Sequence, residues 1–496
     1  MAALQYVHVP NYSAIIFRRS YTDLELPDAL IPRSKDWLTG KAKWRGDKYE
    51  WQFPNGATLT FGYMSSENDK YRYQGAQFMF IGFDELTHFC VIPETEVLTS
   101  TGWKKIKDVE TEELVASLTP QGEMIYSEVA GSYCFPFSGY LTEVKNRSIH
   151  YIGTPNHKVV IEGQKNREWR FCEIKDLPNF AYHPQTANWL SENEIGEYTF
   201  TPPEGRGIGK NANSAKLIKM DDWLEFLGWY LSEGSSFLSA KSRGGTSPCV
   251  SIRQTQENQK LEDLMNRLPW RVRPDGEGGY RIYSRQLYDE LKPLGTALTK
   301  RVPRYIMELS QRQQRIFFDA FVAGDGCIAK NGGIGFGLGC EGLIDDLQEI
   351  AFRLGRRSTK GYSRVKEKYD AYRLYVNSPQ MTRTEVRTKH ISPKFYNGLV
   401  YCITVNPNHT FLARYNGRIF WSGNTETQYR YLFSRLRRLE ESYVPLRMRG
   451  ASNPGGIGHE WVKQRFITEV RRTDGYLSLL HYGTTPTLTG KNMCRA

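Results

Sequence analysis

The alternation of apolar and polar positions breaks off in the middle of a pattern. Residues 79–89, MFIGFDELTHF, are apolar through Phe83 and then carry two acids, Asp84 and Glu85, which predicts a buried strand with carboxylates at its end. A helix is expected next. The following residues, CVIPETEVLTSTGWKKIKDV, read instead as more strand, with apolar positions at Val91, Val97, Ile106 and Val109 and a turn at Thr101-Gly102. The helix pattern comes only after residue 424, in TETQYRYLFSRLRRLEE (425–441), where Tyr429, Leu432, Phe433 and Leu436 recur at helical spacing. Joined directly, 79–89 and 425–441 make one strand–acid–helix unit, so the spacing predicts an insertion over residues 90–424.

Two helix patterns lie inside that insertion, WLEFLGWYLSEGSSF (223–237) and RIFFDAFVAGDGCI (315–328). Each is apolar with small residues and ends in an acid followed by glycine. Gly228 and Ser232 in one, with Ala320 and Ala323 in the other, permit close helix contact, which brings Glu233 and Asp325 side by side at the helix ends. Two carboxylates at one point suit Mg²⁺, which takes oxygen ligands. The plainer alternative is two buried helices with glycine caps. VSIRQT (250–255) and YRIYS (280–284) predict strands, and Lys300, Arg301 and Arg304 either neutralise phosphates or stabilise a transition state, or form a solvated face.

Composition narrows the classes. At 496 residues the chain needs several domains. A net charge of +12 suits a nucleic-acid partner. No apolar run is long enough to span a membrane. The N-terminal residues lack the pattern of a signal peptide, so a cytoplasmic protein is expected. The eight cysteines include no CxxC pair, which argues against a zinc site or a disulfide framework and leaves thiols that act, if at all, as nucleophiles.

Three resemblances follow from these stretches. NYSAIIFRRSY (11–21), FPNGATLTFGYM (53–64), RYQGAQFMFIGFDELTHF (72–89) and ASNPGGIGHEWVKQRF (451–466) resemble the ATPase domain of phage large terminases. That implies a split, partial α/β P-loop-type ATPase over 1–89 and 425–496. Asp84 would be its Mg²⁺ contact, Glu85 would polarise the attacking water, and Asn453 of the run Ser452-Asn453 would sense the γ-phosphate. ATP with Mg²⁺ and packaged DNA would belong to the complete protein, in the cytoplasm of a bacterial host cell. No GxxxxGK[ST] loop occurs in the sequence and the family's nuclease domain is not recognisable, so the outer segments are expected to show no ATPase activity alone.

The insertion resembles an intein, a segment that splices itself out of its host. Cys90 stands where the first nucleophile belongs, and Asn424 and Thr425 where the cyclising amide and the acceptor hydroxyl belong. GTPNHKV (153–159) resembles the intein TxxH motif, which makes Thr154 the residue holding the scissile peptide and His157 the proton donor to its nitrogen. LVYCITVNPNHTFLARYNGRIFWSGN (399–424) resembles the terminal motifs, with His409 assisting Asn424. No cofactor is implied for splicing. Gly423 stands where the family usually has His, and Cys402 where it usually has Asp. Cys402 has two readings, as a group tuning its neighbour or as a relay nucleophile. Taken singly, each of these residues also has an ordinary structural reading; their order along the chain joins them.

The helices at 223–237 and 315–328 resemble the paired motifs of LAGLIDADG homing endonucleases. That implies a metal-dependent double-strand cut in DNA by a pseudo-twofold monomer, with the intein-less terminase gene as target and no membrane involvement. The expected organisation is all-β Hint halves at 90–185 and 395–424 around an α+β endonuclease with linkers at 186–394. The rival functions are an element that has lost splicing and only cuts DNA, and a permanent DNA-binding insertion.

Overall fold

The interrupted pattern resolves into a pair of neighbouring strands. Phe80–Asp84, before the insertion, lies parallel to Arg447–Ala451, after it, with Phe80 opposite Arg447 and Asp84 opposite Ala451. Ser13–Arg18 flanks Phe80–Asp84 on its other side, also parallel, and Thr58–Tyr63 follows. The short antiparallel strands Glu50–Gln52 and Lys43–Arg45 complete six strands. Parallel strands are covered on both faces and so read as unbroken apolar runs, which is the character of Ala14-Ile15-Ile16-Phe17 and of 79–83. Ala14, Leu59, Phe61, Met79 and Phe80 pack with Val444 in one core. Leu436, expected on a helix, instead makes a parallel bridge to Phe78, whose carbonyl accepts from the Arg437 amide; the open backbone groups beside the sheet outcompete helix propensity there.

This is a computed structural model, and it describes residues 2–18, 21–25, 27, 29–63, 67–84, 90–163, 168–200, 215–240, 242, 245–254, 258–365, 369–423, 436–437 and 444–451. They fall into two units. The first holds the described residues of Met1–Ser65, Gln77–Thr87 and Leu436–Ala496, the second those of Ser66–Ala76 and His88–Arg435.

The second unit begins as sheet. Glu96–Thr99 and Gly102–Lys105 form a hairpin around the expected turn. The 23-residue strand Glu123–Lys145 pairs antiparallel with Ile391–Val405, from Val129 opposite Val405 to Val144 opposite Ile391, so early and late parts of the insertion interleave. A second late hairpin, Thr410–Tyr415 with Arg418–Gly423, turns on Asn416-Gly417, both at positive φ (47° and 72°) as a two-residue type I′ turn requires. Val91, Val97, Ile106 and Val109 are all buried in the core these strands enclose, with Ile403, Val405 and Phe420. Ile106 opens a 3₁₀ turn, Ile106–Asp108, rather than a strand.

A separate core, drawn from residues 200–376, surrounds the helices Met220–Glu233 and Gln311–Asp325. The first helix is buried almost all round, from Trp223 through Leu231. The second starts where the Ser310 hydroxyl accepts from the Gln313 amide. Both predicted strands belong to a four-stranded sheet of Gly234–Ala240, Thr246–Arg253, Gly279–Ile282 and Val272–Pro274.

Arg414 joins the two parts of this unit. Fully buried on the late hairpin, it donates to both carboxylate oxygens of Glu96 (2.7 and 2.6 Å), to Asp345, and to Gln348 (2.8 Å) on the helix Glu341–Arg353. Breaking such a buried pair leaves an uncompensated charge and costs about 3–5 kcal/mol. Among the described residues no helix is long and apolar enough to cross a membrane.

Candidate functional site

The seam at residue 90 is held by its backbone. The Cys90 amide donates to the Thr154 hydroxyl (3.2 Å), and the Thr154 amide donates back to the Cys90 carbonyl (2.9 Å). Glycine at position 153 suits this closeness, because a Cβ there would stand 3.2 Å from the Cys90 carbonyl oxygen, tight enough that the neighbours would have to shift. Val91 exchanges both backbone hydrogen bonds with Tyr401, which sets Cys90 beside Cys402. Burial pushes the Cys90 thiol well above its ordinary pKa, and the hydrogen-bonded Cys402 thiol pushes it further. No disulfide forms among the described cysteines.

His157 follows Thr154 in a tight turn, its amide donating to the Thr154 carbonyl (2.8 Å). Its imidazole lies in the interior, where Nε2 shares a 2.7 Å hydrogen bond with the Ser422 hydroxyl. Ser422 reaches it because Val159, two residues on, pairs with Ser422 across neighbouring strands. Thr154, His157 and Cys90 therefore stand together as expected, and Ser422 joins them. Sequence reading missed Ser422, because a serine 265 positions from its partner carries no local mark.

Gly423 ends the late hairpin opposite Thr410. A Cβ there would meet the Phe171 ring at 2.7 Å and the Lys158 Cβ at 3.1 Å, so the space that a larger residue would need is filled. His409 precedes Thr410, half-buried, in the left-handed region at φ 57°. Asn424 and Thr425 lie outside the described residues.

At the second site the helices Met220–Glu233 and Gln311–Asp325 touch through small residues. A Cβ on Gly228 would fall 2.6 Å from the Ala320 Cβ, and one on Gly324 would fall 2.1 Å from the Ser232 hydroxyl. Gly324 thus joins the small residues expected at this contact, facing Ser232. Glu233 and Asp325 are the last residues of their helices. Burial raises the pKa of each carboxyl; the neighbouring Asp325 charge raises Glu233 further, while Lys300 opposes both shifts. Gln254 donates to Glu233 (3.4 Å) and to the Gly324 carbonyl (3.3 Å).

Lys300 caps a helix. Its buried ammonium donates to the carbonyls of Tyr230 (2.8 Å), Leu231 (3.0 Å) and Gly234 (2.8 Å) at the end of the first helix. Burial pulls its pKa down to about 8 against the hold of Asp325 and Glu233. Arg301 and Arg304 are committed as well, Arg301 bidentate to Asp346 and Arg304 to Glu349 and the Ser100 carbonyl. Exposed acids on the following helix would have left them to solvent; here Asp346 and Glu349 are buried and need them.

Among the described residues no three His, Cys, Asp or Glu side chains gather as a metal cage. Mg²⁺ characteristically uses one or two carboxylates and completes its shell with water and substrate phosphates, so the pair Glu233 and Asp325 fits that ion. In the first unit, Asp84 ends its strand beside Ala451, and Ser452-Asn453 follow directly. Carboxyl ends of parallel strands are where such sheets bind ligands. The Asp84 side chain, Glu85 and Asn453 lie outside the described residues.

Residues 1–133 match the family model for the N-terminal part of the T4likevirus-type terminase large subunit. Over 411 residues the chain is 24% identical to the DNA-directed RNA polymerase subunit beta C-terminal section of Stigeoclonium helveticum, covering 69% of this chain and 37% of that protein. Over 288 residues it is 25% identical to an ATP-dependent Clp protease proteolytic subunit of Chlamydomonas moewusii, covering 54% and 28%. A DNA polymerase of Thermococcus litoralis matches at 29% over 224 residues, covering 43% and 12%. The chain thus spans well under half the length of these relatives. Among solved structures, I-DmoI in complex with DNA and Mn matches at 18% identity and TM-score 0.25, covering 32% of this chain and 90% of that one. The bacterial intein-like domain from Clostridium thermocellum matches at 17% and TM-score 0.18, covering 20% and 68%. The family-model match covers the outer residues 1–89 and runs on into the first part of the insertion.

Proposed function

We propose that residues 90–424 excise themselves and ligate residues 1–89 to residues 425–496, and that the helices ending in Glu233 and Asp325 serve a site-specific double-strand cut in DNA. The observation that carries the splicing reading is the Cys90 peptide gripped on both sides by Thr154, beside Cys402 and His157. The parallel pairing of Phe80–Asp84 with Arg447–Ala451 supports it from outside, since strands on either side of the insertion already belong to one sheet. Partial matches to proteins of unrelated name also suit a movable insertion.

In this reading the Cys90 sulfur attacks the Phe89 carbonyl while Thr154 fixes the peptide and His157 protonates the departing nitrogen. Thr425 then takes the acyl group, Asn424 cyclises with help from His409, and the ester rearranges to an amide. The raised Cys90 pKa keeps the resting thiol neutral, so attack waits on a proton acceptor; Cys402, in contact with it, is placed for tuning or for relay. Splicing needs no cofactor. The organisation that goes with this is Hint halves over 90–185 and 395–424, the endonuclease over 186–394, and a terminase ATPase part that works with ATP and Mg²⁺ in the complete host protein.

For the cut, Glu233 and Asp325 would hold Mg²⁺, which lowers the pKa of bound water and stabilises the leaving oxygen. Lys300 and Gln254 position the acids, Lys300 by tying down the helix end and Gln254 by bridging Glu233 to the Gly324 carbonyl. The substrate is duplex DNA at the uninterrupted terminase gene, cut by a monomer in the cytoplasm of a bacterial host cell. Mass spectrometry of freshly made chain decides the splicing reading. Residues 90–424 as one product and 1–89 joined to 425–496 as another are expected, whereas an intact 57.2 kDa chain overturns it.

A further inference from the structure

We infer that Ser422 is a positioning residue for the first splicing step: its hydroxyl donates to Nε2 of His157, fixes the ring's single proton on Nδ1, and ties the acid of the first junction to the strand that carries the second. The inference deepens the splicing reading and rests on it.

The geometry is specific. The hydrogen bond is 2.7 Å, and both residues are buried, His157 at 1% exposure and Ser422 at 0%, so water does not substitute for either partner. A neutral imidazole has one donor nitrogen and one acceptor, and the partner at one nitrogen decides the state of the other. Ser422 has no freedom to leave. It sits inside the strand Arg418–Gly423, opposite Phe411 on one side and Val159 on the other. The titratable groups on the elements packed here are Lys158 on the His157 strand, Cys90 and Cys402 at the seam, and Cys172 and Glu173 on the strand beside Lys158–Glu162. Burial raises the Cys172 thiol, which stays neutral. A hydroxyl at Nε2 can donate or accept, and Ser422 is here assigned the donor's part.

The step balances as follows. The Cys90 sulfur forms a bond to the Phe89 carbonyl carbon, the carbon–nitrogen bond of that peptide breaks, and the nitrogen leaves as an amine after taking the Nδ1 proton. The thiol proton returns to the ring, so His157 ends as it began. The product is a thioester, with no oxidant or co-reactant. A ring carrying its proton on Nε2 could give one from Nδ1 only after first taking the thiol proton there. Because Ser422 stands two residues before Asn424, the same bond makes the strand leading to the second junction sense the state of the first.

The test uses the full chain carrying Asn424→Ala and Thr425→Ala together, which stops the reaction after the thioester. Release of residues 1–89 by added dithiothreitol reads thioester formation, and ¹⁵N chemical shifts of the His157 ring read the tautomer. Ser422→Ala is expected to slow release by at least about tenfold, part of the roughly 10²–10⁴-fold that a general acid contributes, and to move the proton from Nδ1 toward Nε2. Ser422→Thr, which keeps the hydroxyl, is expected to restore both. Release at the parent rate in Ser422→Ala, or an Nε2–H ring in the parent, overturns the inference. A parent that releases nothing with dithiothreitol overturns the splicing reading instead, and the ring shifts still decide the role of Ser422.

Discussion

The two sites of the insertion treat charge in opposite ways. Around Cys90 the nucleophile is buried and neutral, and the nearby partners are hydroxyls, a second thiol and backbone amides. Around Glu233 and Asp325 two acids are pressed together under partial burial and are offset by one buried ammonium, Lys300. A peptide rearrangement passes protons over short distances and gains from a dry, uncharged setting in which each donor has one partner. On the proposed reading, phosphodiester cleavage would bring a polyanion and a cation to the same point, which paired acids with room for a metal would serve. One chain accommodates both because each lies in its own core, Val91 through Phe420 for the first and Phe200 through Val376 for the second.

The largest effects should separate the sites completely. Cys90→Ala is expected to abolish ligation, by on the order of 10⁴-fold or more as for removal of other covalent nucleophiles, with DNA cleavage intact. Glu233→Gln and EDTA should do the reverse. Loss of both activities in either variant, measured on products by mass spectrometry and on a plasmid bearing the intein-less site, would break the comparison.

A smaller effect sharpens the dry site. Gly423→His restores the residue usual in the family, yet it is expected to lower splicing, because its Cβ would overlap Phe171 and Lys158. Overpacking of this kind costs about 1–3 kcal/mol. Pairing the change with Phe171→Ala should recover part of the loss; faster splicing by Gly423→His alone would contradict the packing argument.

The smallest effect is on stability. His183 is fully buried, and burial depresses its pKa to about 3, with a backbone hydrogen bond to Val160 opposing the shift. The folded chain therefore keeps this ring neutral while the unfolded chain protonates it near 6.5. Its contribution is present above pH 6.5 and is lost as pH falls toward 3, at up to about 1.4 kcal/mol per unit. Chemical denaturation of chain carrying Cys90→Ala at pH 7, 6 and 5 should show that slope, and His183→Phe should flatten it.

Much of this was legible in order along the chain. Apolar runs marked the strand at Phe80–Asp84, and the Thr-x-x-His spacing marked Thr154 and His157. Small residues at helical spacing marked the contact of Gly228 with Ala320. These signals are local, set by pleat or helix period. What stayed hidden depends on distant parts of the chain. Ser422 finds His157 through a strand pairing, and Lys300, Arg301 and Arg304 looked like a basic surface until Asp346, Glu349 and the helix end claimed them. The helix expected over 425–441 gave way at Leu436 to a bridge with Phe78 for the same reason, a tertiary partner that sequence spacing does not encode.

The buried Arg414 has a consequence for shortening the insertion. Its guanidinium takes Glu96 and the hairpin leading to Gly423 on one side, and Asp345 and Gln348 from the passenger on the other. A deletion of the segment that carries Asp345 and Gln348 would strip that cation of half its counterparts, so on the proposed reading discarding the endonuclease would also loosen the fold around the splice junctions.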